Sequence, residues 1–436
     1  MRSLRSKLNK PCVFVLVFAA VNVLCLAIAL LLLFLDVDPR SVLGRRSFSD
    51  FLETMAFALC GNPYGGMGAL NSNYPPFPIL LAYPFALLCR GTVESYLGGG
   101  IALQYAYKNA DFVCTYLLYF VLSAAFLCFS VWKFVQKRGG LPLWAMLAVL
   151  FSGPVLYCFG RGNVLLPAMA CIFLFFAWYD SEKRVLREFS LLFLALAVAF
   201  KLYPAVLALL LIKERRYLDF FKTALYSVIL VFLPLVCFSG GYGETVLAFL
   251  KGVVGFDRVD GRDESPSNVS FDRILGWVVS AVGLFGADIA SAMGIVSMAL
   301  HAALLLFTAV MAFLVRGRED LHGRYTVLLC CAFLYFSKVS YGYNLLVFAV
   351  PCLYFYRERA TYAKADRIAC GIAYFLLFFP ALYLFKYFYL QVLAPLYLLV
   401  SSCVGLIGGL RRGGREEPKA ENGEERESSG SPAAGA

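Results

Sequence analysis

The sequence predicts an all-α, polytopic transmembrane helical bundle, on three observations. Of its 436 residues, 61% are hydrophobic and only 15% charged, with a mean hydropathy of +0.74, a balance foreign to a water-soluble domain of this length. The apolar residues fall into runs separated by short basic loops, the pattern that marks the cytoplasmic ends of spans. The first run, 11 to 35, follows Arg2, Arg5, Lys7 and Lys10. It is too long for a signal-peptide core and has no small-residue cleavage site, so it reads as an uncleaved span with its N-terminus in the cytoplasm.

Taken in order, twelve membrane segments put every basic loop inside: 11 to 35, 111 to 134, 141 to 159, 164 to 179, 189 to 200, 203 to 212, 222 to 239, 288 to 315, 325 to 337, 343 to 356, 368 to 386 and 389 to 409. The loops so gathered hold Lys137 and Arg138, Lys183 to Arg187, Lys213 to Arg216, Arg316 to Arg324, Arg357 to Arg367 and Arg411 to Arg415. Two long loops, 36 to 110 and 240 to 287, then lie outside. A crossing at 77 to 90 would put Lys137 and Arg138 on the wrong side; with Pro78 and Pro84 limiting its regularity, that segment is expected to be re-entrant or interfacial. Residues 1 to 410 make one integral-membrane domain. The stretch 411 to 436, rich in Gly, Glu, Ser and Ala, has almost nothing to bury and reads as a disordered cytoplasmic tail.

Several segments are too short to cross. Residues 189 to 200 and 203 to 212 extend only about 15 to 18 Å as helices, against a hydrocarbon core of about 30 Å. They read as a hairpin with its tip, Lys201-Leu202-Tyr203-Pro204, below the outer surface. The same reasoning gives tips at Lys338 to Asn344 and at Gly160-Arg161-Gly162-Asn163. Irregular backbone at membrane depth is tolerated where protein covers it or where it lines a polar cavity. Each tip carries one cation, Arg161, Lys201 or Lys338, and a charge at that depth costs roughly 3 kcal/mol. An anion is expected to offset it.

The charge balance, 39 basic against 28 acidic residues, is absorbed by the cytoplasmic loops, and no nucleic-acid motif accompanies it. Fourteen cysteines are scattered through apolar segments without metal-ligand spacing. Cys60 and Cys89 fall in one external loop and can pair, although unpaired positions are the simpler reading. Two histidines, His301 and His322, leave no room for a His-centred triad or a His-ligated metal.

The first external loop holds the most informative stretch: Asp50-Phe51-Leu52-Glu53, then Gly61-Asn62-Pro63-Tyr64, then Asn73-Tyr74-Pro75-Pro76-Phe77. Asp50 reads either as a helix cap, with Glu53 completing a capping box, or as a base. Lys201 reads either as a snorkelling lysine or as a phosphate ligand. Tyr64 and Tyr74 read as interface anchors or as sugar-stacking rings. Asn268-Val269-Ser270 is formally a glycosylation acceptor, and the mixed charges from Asp257 to Glu264 read as a solvated loop or a lid.

The order of these motifs, with the Gly-x-x-Asn tip, the Lys-x-Tyr-Pro tip followed by a basic loop, and Asn268-Val269-Ser270, resembles the membrane mannosyltransferases of glycosyltransferase family 87. These belong to the GT-C class, and the resemblance runs roughly from 45 to 360. Two positions depart from the family pattern. Arg161 stands where the family has glutamine, and Tyr341-Gly342-Tyr343-Asn344 replaces a Trp-Asp-His-Tyr-like segment.

The resemblance implies transfer of a sugar, with mannose first in view, from a polyprenyl-phosphate donor to a lipid-linked or cell-envelope glycan acceptor, with inversion. Asp50 is then the base, Lys201, Arg161 and Lys338 hold the donor phosphate, and Tyr64, Tyr74, Asn163, Tyr203, Asn268 and Tyr341 touch substrate. No cofactor or metal is expected. The polyprenyl-phosphate sugar is itself a substrate, and its monophosphate leaving group has no pyrophosphate for a metal to bridge. The expected partners are the lipid bilayer, the donor and a glycan or glycolipid acceptor, with no nucleic acid. The expected site is the bacterial cytoplasmic membrane facing outward, with the endoplasmic reticulum second. A transporter or flippase of an anionic lipid-linked solute is the alternative, since it shares the spans and buried cations.

Overall fold

The computed structural model describes residues 20, 23–24, 27, 31, 48–65, 72, 74–137, 142–259, 268–283, 287–336, 339–358, 362–379 and 388–413. The first-span segment 11 to 35, apart from five positions, Lys338, the charge run beyond residue 259 and the tail beyond residue 413 lie outside them.

Among the described residues the chain is all-helical: α1 (Ser49–Leu59), α2 (Pro76–Leu88), α3 (Arg90–Leu97), α4 (Ala110–Lys137), α5 (Pro142–Leu150), α6 (Gly153–Arg161), α7 (Leu165–Trp178), α8 (Arg184–Phe200), α9 (Leu209–Lys213), α10 (Tyr217–Phe232), α11 (Tyr242–Val259), α12 (Phe271–Val282), α13 (Ala287–Leu314), α14 (His322–Leu334), α15 (Ala349–Glu358), α16 (Lys364–Phe378) and α17 (Phe388–Gly413). Four segments are long and apolar enough to cross a membrane: Ala110–Lys137, Tyr217–Cys237, Ala292–Leu314 and Leu390–Arg411. Helices α2 and α3 form a pair bent by 110° that adds a fifth if it is one broken span. The chain is therefore a polytopic helical membrane protein.

The core explains the arrangement. Helix α7 is apolar on every side and buried from Leu165 to Ala177, as a helix surrounded by others must be. It packs between α4 and α8. Helix α14 is buried all round in the same way, whereas α4 and α10 turn Leu117, Leu118, Val121, Leu122, Leu225 and Val228 outward, the surface a bilayer would cover.

Several sequence-based boundaries move. Helix α8 starts at Arg184, not 189, so its 17 residues reach roughly 25 Å, and the argument from shortness holds less well for this arm. The other arm is a 3-10 turn, Tyr203–Ala208, followed by the five-residue α9, because Pro204 cannot continue an α-helical hydrogen-bond ladder. The segment 141 to 159 is broken at Phe151 and Ser152 into α5 and α6, and the late arm begins as a 3-10 turn, Gly342–Phe348.

One end of the bundle collects charge. Lys137 pairs with Asp180 at 3.7 Å, joining the ends of α4 and α7. The Arg216 guanidinium donates to the Tyr179 carbonyl. Lys213, fully buried, pairs with Glu214 at 2.7 Å and lies 3.4 Å from His322 Nδ1. Burial pushes the Glu214 carboxyl up, but hydrogen bonds from His322 and Lys213 and their charges prevail and bring it to about 2.

Candidate active site

The tyrosine face of α4, the tips between helices and the start of α1 converge near the other end. Asp50 is the second residue of α1, not its cap: Phe48 holds that position and makes no side-chain cap hydrogen bond. Phe48 has φ +62°, a left-handed conformation costly for a bulky L-residue. Its N–H donates to the Gly160 carbonyl at 2.7 Å and its ring packs edge-on to Tyr116 at 4.7 Å. This reversal fastens the start of α1 to the end of α6 and turns the Asp50 carboxylate onto the tip between α6 and α7.

There the carboxylate, 4% exposed, is engaged at both oxygens. Oδ1 takes the Arg161 Nη2 ion pair at 2.7 Å and a hydrogen bond from Ser49 Oγ at 3.2 Å. Oδ2 accepts from Asn163 Nδ2 at 2.5 Å. Helix α1 is too short to span a membrane and is not one of the spans. Burial raises the Asp50 carboxyl, but the Arg161 charge, the hydrogen bonds from Asn163 and Arg161, and the Lys201 charge outweigh it and hold the group below its ordinary value.

The tip residues have single geometric solutions. Gly162 has φ +69°, and a Cβ there would lie 2.5 Å from Phe51 Cβ, so only glycine lets α6 end this close to α1. Asn163, fully buried, accepts from Leu165 N at 3.0 Å with its Oδ1, starting α7, while its Nδ2 serves Asp50 and reaches Tyr74 Oη at 3.3 Å. One side chain thus ends a loop, starts a helix and orients the carboxylate.

Lys201 ends α8 in an extended conformation. Its ammonium sits over the rings of Tyr74 at 5.0 Å, Tyr343 at 5.2 Å and Tyr203 at 5.9 Å. Among the described residues it makes no ion pair, and aromatic faces only partly replace the water that a partly buried ammonium loses. Tyr203 Oη donates to Asn344 Oδ1 at 2.7 Å, and Asn344 Nδ2 donates to Ser340 Oγ at 3.0 Å. Asn268 forms an isolated antiparallel bridge with Tyr341, and its Oδ1 accepts from Ser270 N at 3.1 Å and Ser340 N at 3.2 Å. The bridge sets the Tyr341 ring 5.3 Å from the Arg161 guanidinium. At 2% exposure, Asn268 ties the start of α12 to the turn at Ser340 and offers no surface for glycosylation.

Of the residues singled out by sequence, Asp50, Tyr74, Arg161, Asn163, Lys201, Tyr203, Asn268 and Tyr341 come together. Tyr64 stands one layer back, its Oη donating to the Tyr74 carbonyl at 2.9 Å and its ring against Phe238 and Phe249. Cys60 and Cys89 are both free, and Cys89 Sγ lies 3.6 Å from Met55 Sδ. The roles of Phe48, Tyr343, Asn344 and Ser340 had no sequence signal of their own beyond lying in or beside the motifs. An apolar crevice beside α1, lined by Phe51, Leu81, Phe85, Tyr119, Pro167 and Phe200, adjoins the site. A larger groove of about 510 Å³ between α8 and α10, lined by Arg184, Phe189 and Tyr226 among others, lies apart from this chemistry.

No curated protein matches the chain. The model of glycosyltransferase family 87 matches residues 73–340, more than half of the chain, a stretch that includes Tyr74, Arg161, Asn163, Lys201, Tyr203, Asn268 and Ser340; Asp50 lies ahead of the matched stretch and Tyr341 to Asn344 directly follow it.

Proposed function

Because this chain belongs to glycosyltransferase family 87, we propose that it moves a sugar, mannose first among candidates, from a polyprenyl-phosphate donor to a lipid-linked or cell-envelope glycan on the extracytoplasmic face. The single observation that carries this reading is a buried carboxylate set beside two partly buried cations, one of which has no carboxylate partner among the described residues. The donor is a phosphodiester carrying one negative charge. Asp50 takes the proton of the acceptor hydroxyl as its oxygen bonds the anomeric carbon. The bond from that carbon to the phosphate oxygen breaks, its electron pair stays with the phosphate, and polyprenyl phosphate leaves with a second negative charge. Lys201 meets that charge first, with Arg161 next; Lys338, the third cation of the sequence reading, lies outside the described residues. A cation about 4 Å away at an effective dielectric near 20 contributes about 4 kcal/mol before desolvation, enough to matter to a barrier.

One feature supports the orientation. Along α4, Tyr119 contacts the site through Asn163, and Lys137 joins the charged end; at 1.5 Å per residue the two are separated by roughly 27 Å, close to the thickness of the hydrocarbon core. If the charged end is cytoplasmic, the site opens at the opposite leaflet. The test is Lys201→Ala, assayed with donor and acceptor varied separately. KM for the donor rises well beyond KM for the acceptor; an equal rise in both removes the phosphate contact.

A further inference from the structure

The carboxylate that must take a proton is paired with a guanidinium, which makes it a poor proton acceptor. Arg161 and Ser49 hold Oδ1, and Asn163 takes one of the two acceptor positions of Oδ2. An acceptor hydroxyl has room at Oδ2, but for its proton to move there the charge pairing at 2.7 Å has to loosen. Asn163 is committed to the start of α7 through its other amide atom, and Ser49 is the neighbouring residue. Arg161 differs from both. Its Nε is buried without a hydrogen-bond partner, its side chain keeps 13% exposure, and one ring, Tyr341, flanks its guanidinium. It is a cation with a spare donor beside the place where the phosphate reading puts an anion.

We propose that Arg161 is a latch on the base: in the empty site it occupies Asp50, and the donor phosphate draws the guanidinium away, so that the base is free only when donor is seated.

The latch rests on the transferase reading above, and the charge balance of that reaction favours it. As transfer proceeds, Asp50 gains the acceptor's proton and loses its charge, while the departing phosphate gains one. A guanidinium with three nitrogens between the two follows the negative charge across the site. Donor would then bind before acceptor, and an acceptor arriving first would meet an occupied base. In this scheme Arg161 pairs in turn with the base and with the donor phosphate. Where the family pattern has glutamine, an uncharged amide would hold Asp50 without this exchange.

The experiment reads the base directly. Dicyclohexylcarbodiimide, which enters from lipid and reacts with a protonated carboxyl, is applied to the full-length protein in detergent or bilayer, and modification of Asp50 is measured by peptide mass spectrometry. The probe is polyprenyl phosphate without a sugar. Wild-type Asp50 reacts slowly alone and at least tenfold faster with polyprenyl phosphate. Arg161→Gln reacts fast in both conditions. Arg161→Lys, which keeps the charge, restores slow labelling that polyprenyl phosphate relieves; a residue serving only structure would not give this split. A wild-type rate that stays the same or falls on adding polyprenyl phosphate overturns the latch, as does an Arg161→Gln rate equal to that of the empty wild type. A protein that transfers sugar yet shows either result loses the latch and keeps the transferase. Absence of transfer from every polyprenyl-phosphate sugar removes the transferase itself.

Discussion

Gly162→Ala puts a methyl group where the structure has none to spare. The residue sits at φ +69°, a region that costs an L-residue roughly 1–2 kcal/mol. Its new Cβ would lie 2.5 Å from Phe51 Cβ and 3.3 Å from Phe51 N, where ordinary contacts between carbons need about 3.5–4.0 Å. Something must move by about 1 Å, and the neighbours are the backbone of α1 and the two residues that hold Asp50, Arg161 and Asn163. A 1 Å misplacement at a reacting centre costs on the order of 10²-fold in rate. The assay is sugar transfer in membranes at matched protein level, with thermal unfolding of the purified protein beside it. The expected result is a rate lower by about 10²-fold together with a modest fall in Tm. Wild-type rate and Tm in Gly162→Ala would refute the close packing of α6 on α1 as the device that positions the base.

Further expectations follow from the same geometry. Asn163→Ala removes the Oδ2 hydrogen bond and the Asx start of α7, so both rate and melting temperature fall; a change in rate alone would confine Asn163 to the chemistry. Because the free-protein carboxyl of Asp50 is held below its ordinary value, the acid limb of kcat/KM falls below the ordinary carboxylate range, while the limb of kcat, read with donor bound and Arg161 drawn off, lies at higher pH; coincident limbs contradict the exchange. Glu214, lowered to about 2 from 4.5, stabilises the fold above its unfolded value, and that contribution is lost as pH falls from about 4.5 toward 2. Glu214→Gln therefore loses Tm at pH 7 and converges on wild type in acid, as followed by melting curves across pH. Since Cys60 and Cys89 are free, dithiothreitol leaves the melting temperature unchanged; a drop of several degrees would mean a disulfide.

The legible part of the site was the part carried by tips. Irregular backbone and cations at depth need polar company, and of the tip residues Arg161 and Asn163 contact Asp50 while Lys201 acts on it through its charge, although the helix that ends at Lys201 is not a short one. The capping reading of Asp50 came from a local signal, Ser49 and Asp50 ahead of an apolar run, but the helix begins at Phe48 and Ser49, where the bond to Gly160, over a hundred residues away, sets its start. No local pattern encodes that contact. The extent of α8 was misjudged because Arg184, Arg187 and Glu188 look like loop composition, yet they occupy its first turns. The cluster of Lys213, Glu214 and His322 has no sequence signal for a related reason: His322 joins the neighbouring Lys213 and Glu214 only after α9 and α14 pack together.

The central claim, that Asp50 is the base of transfer from a polyprenyl-phosphate sugar, is met most directly by one comparison. Membranes holding equal amounts of wild type or Asp50→Asn are given polyprenyl-phosphate-linked radiolabelled mannose, and label is followed into endogenous glycolipid and glycan. The account predicts incorporation by the wild type and a loss of about 10²–10⁴-fold in Asp50→Asn, with the variant folded and inserted. Incorporation by Asp50→Asn at the wild-type rate would contradict it.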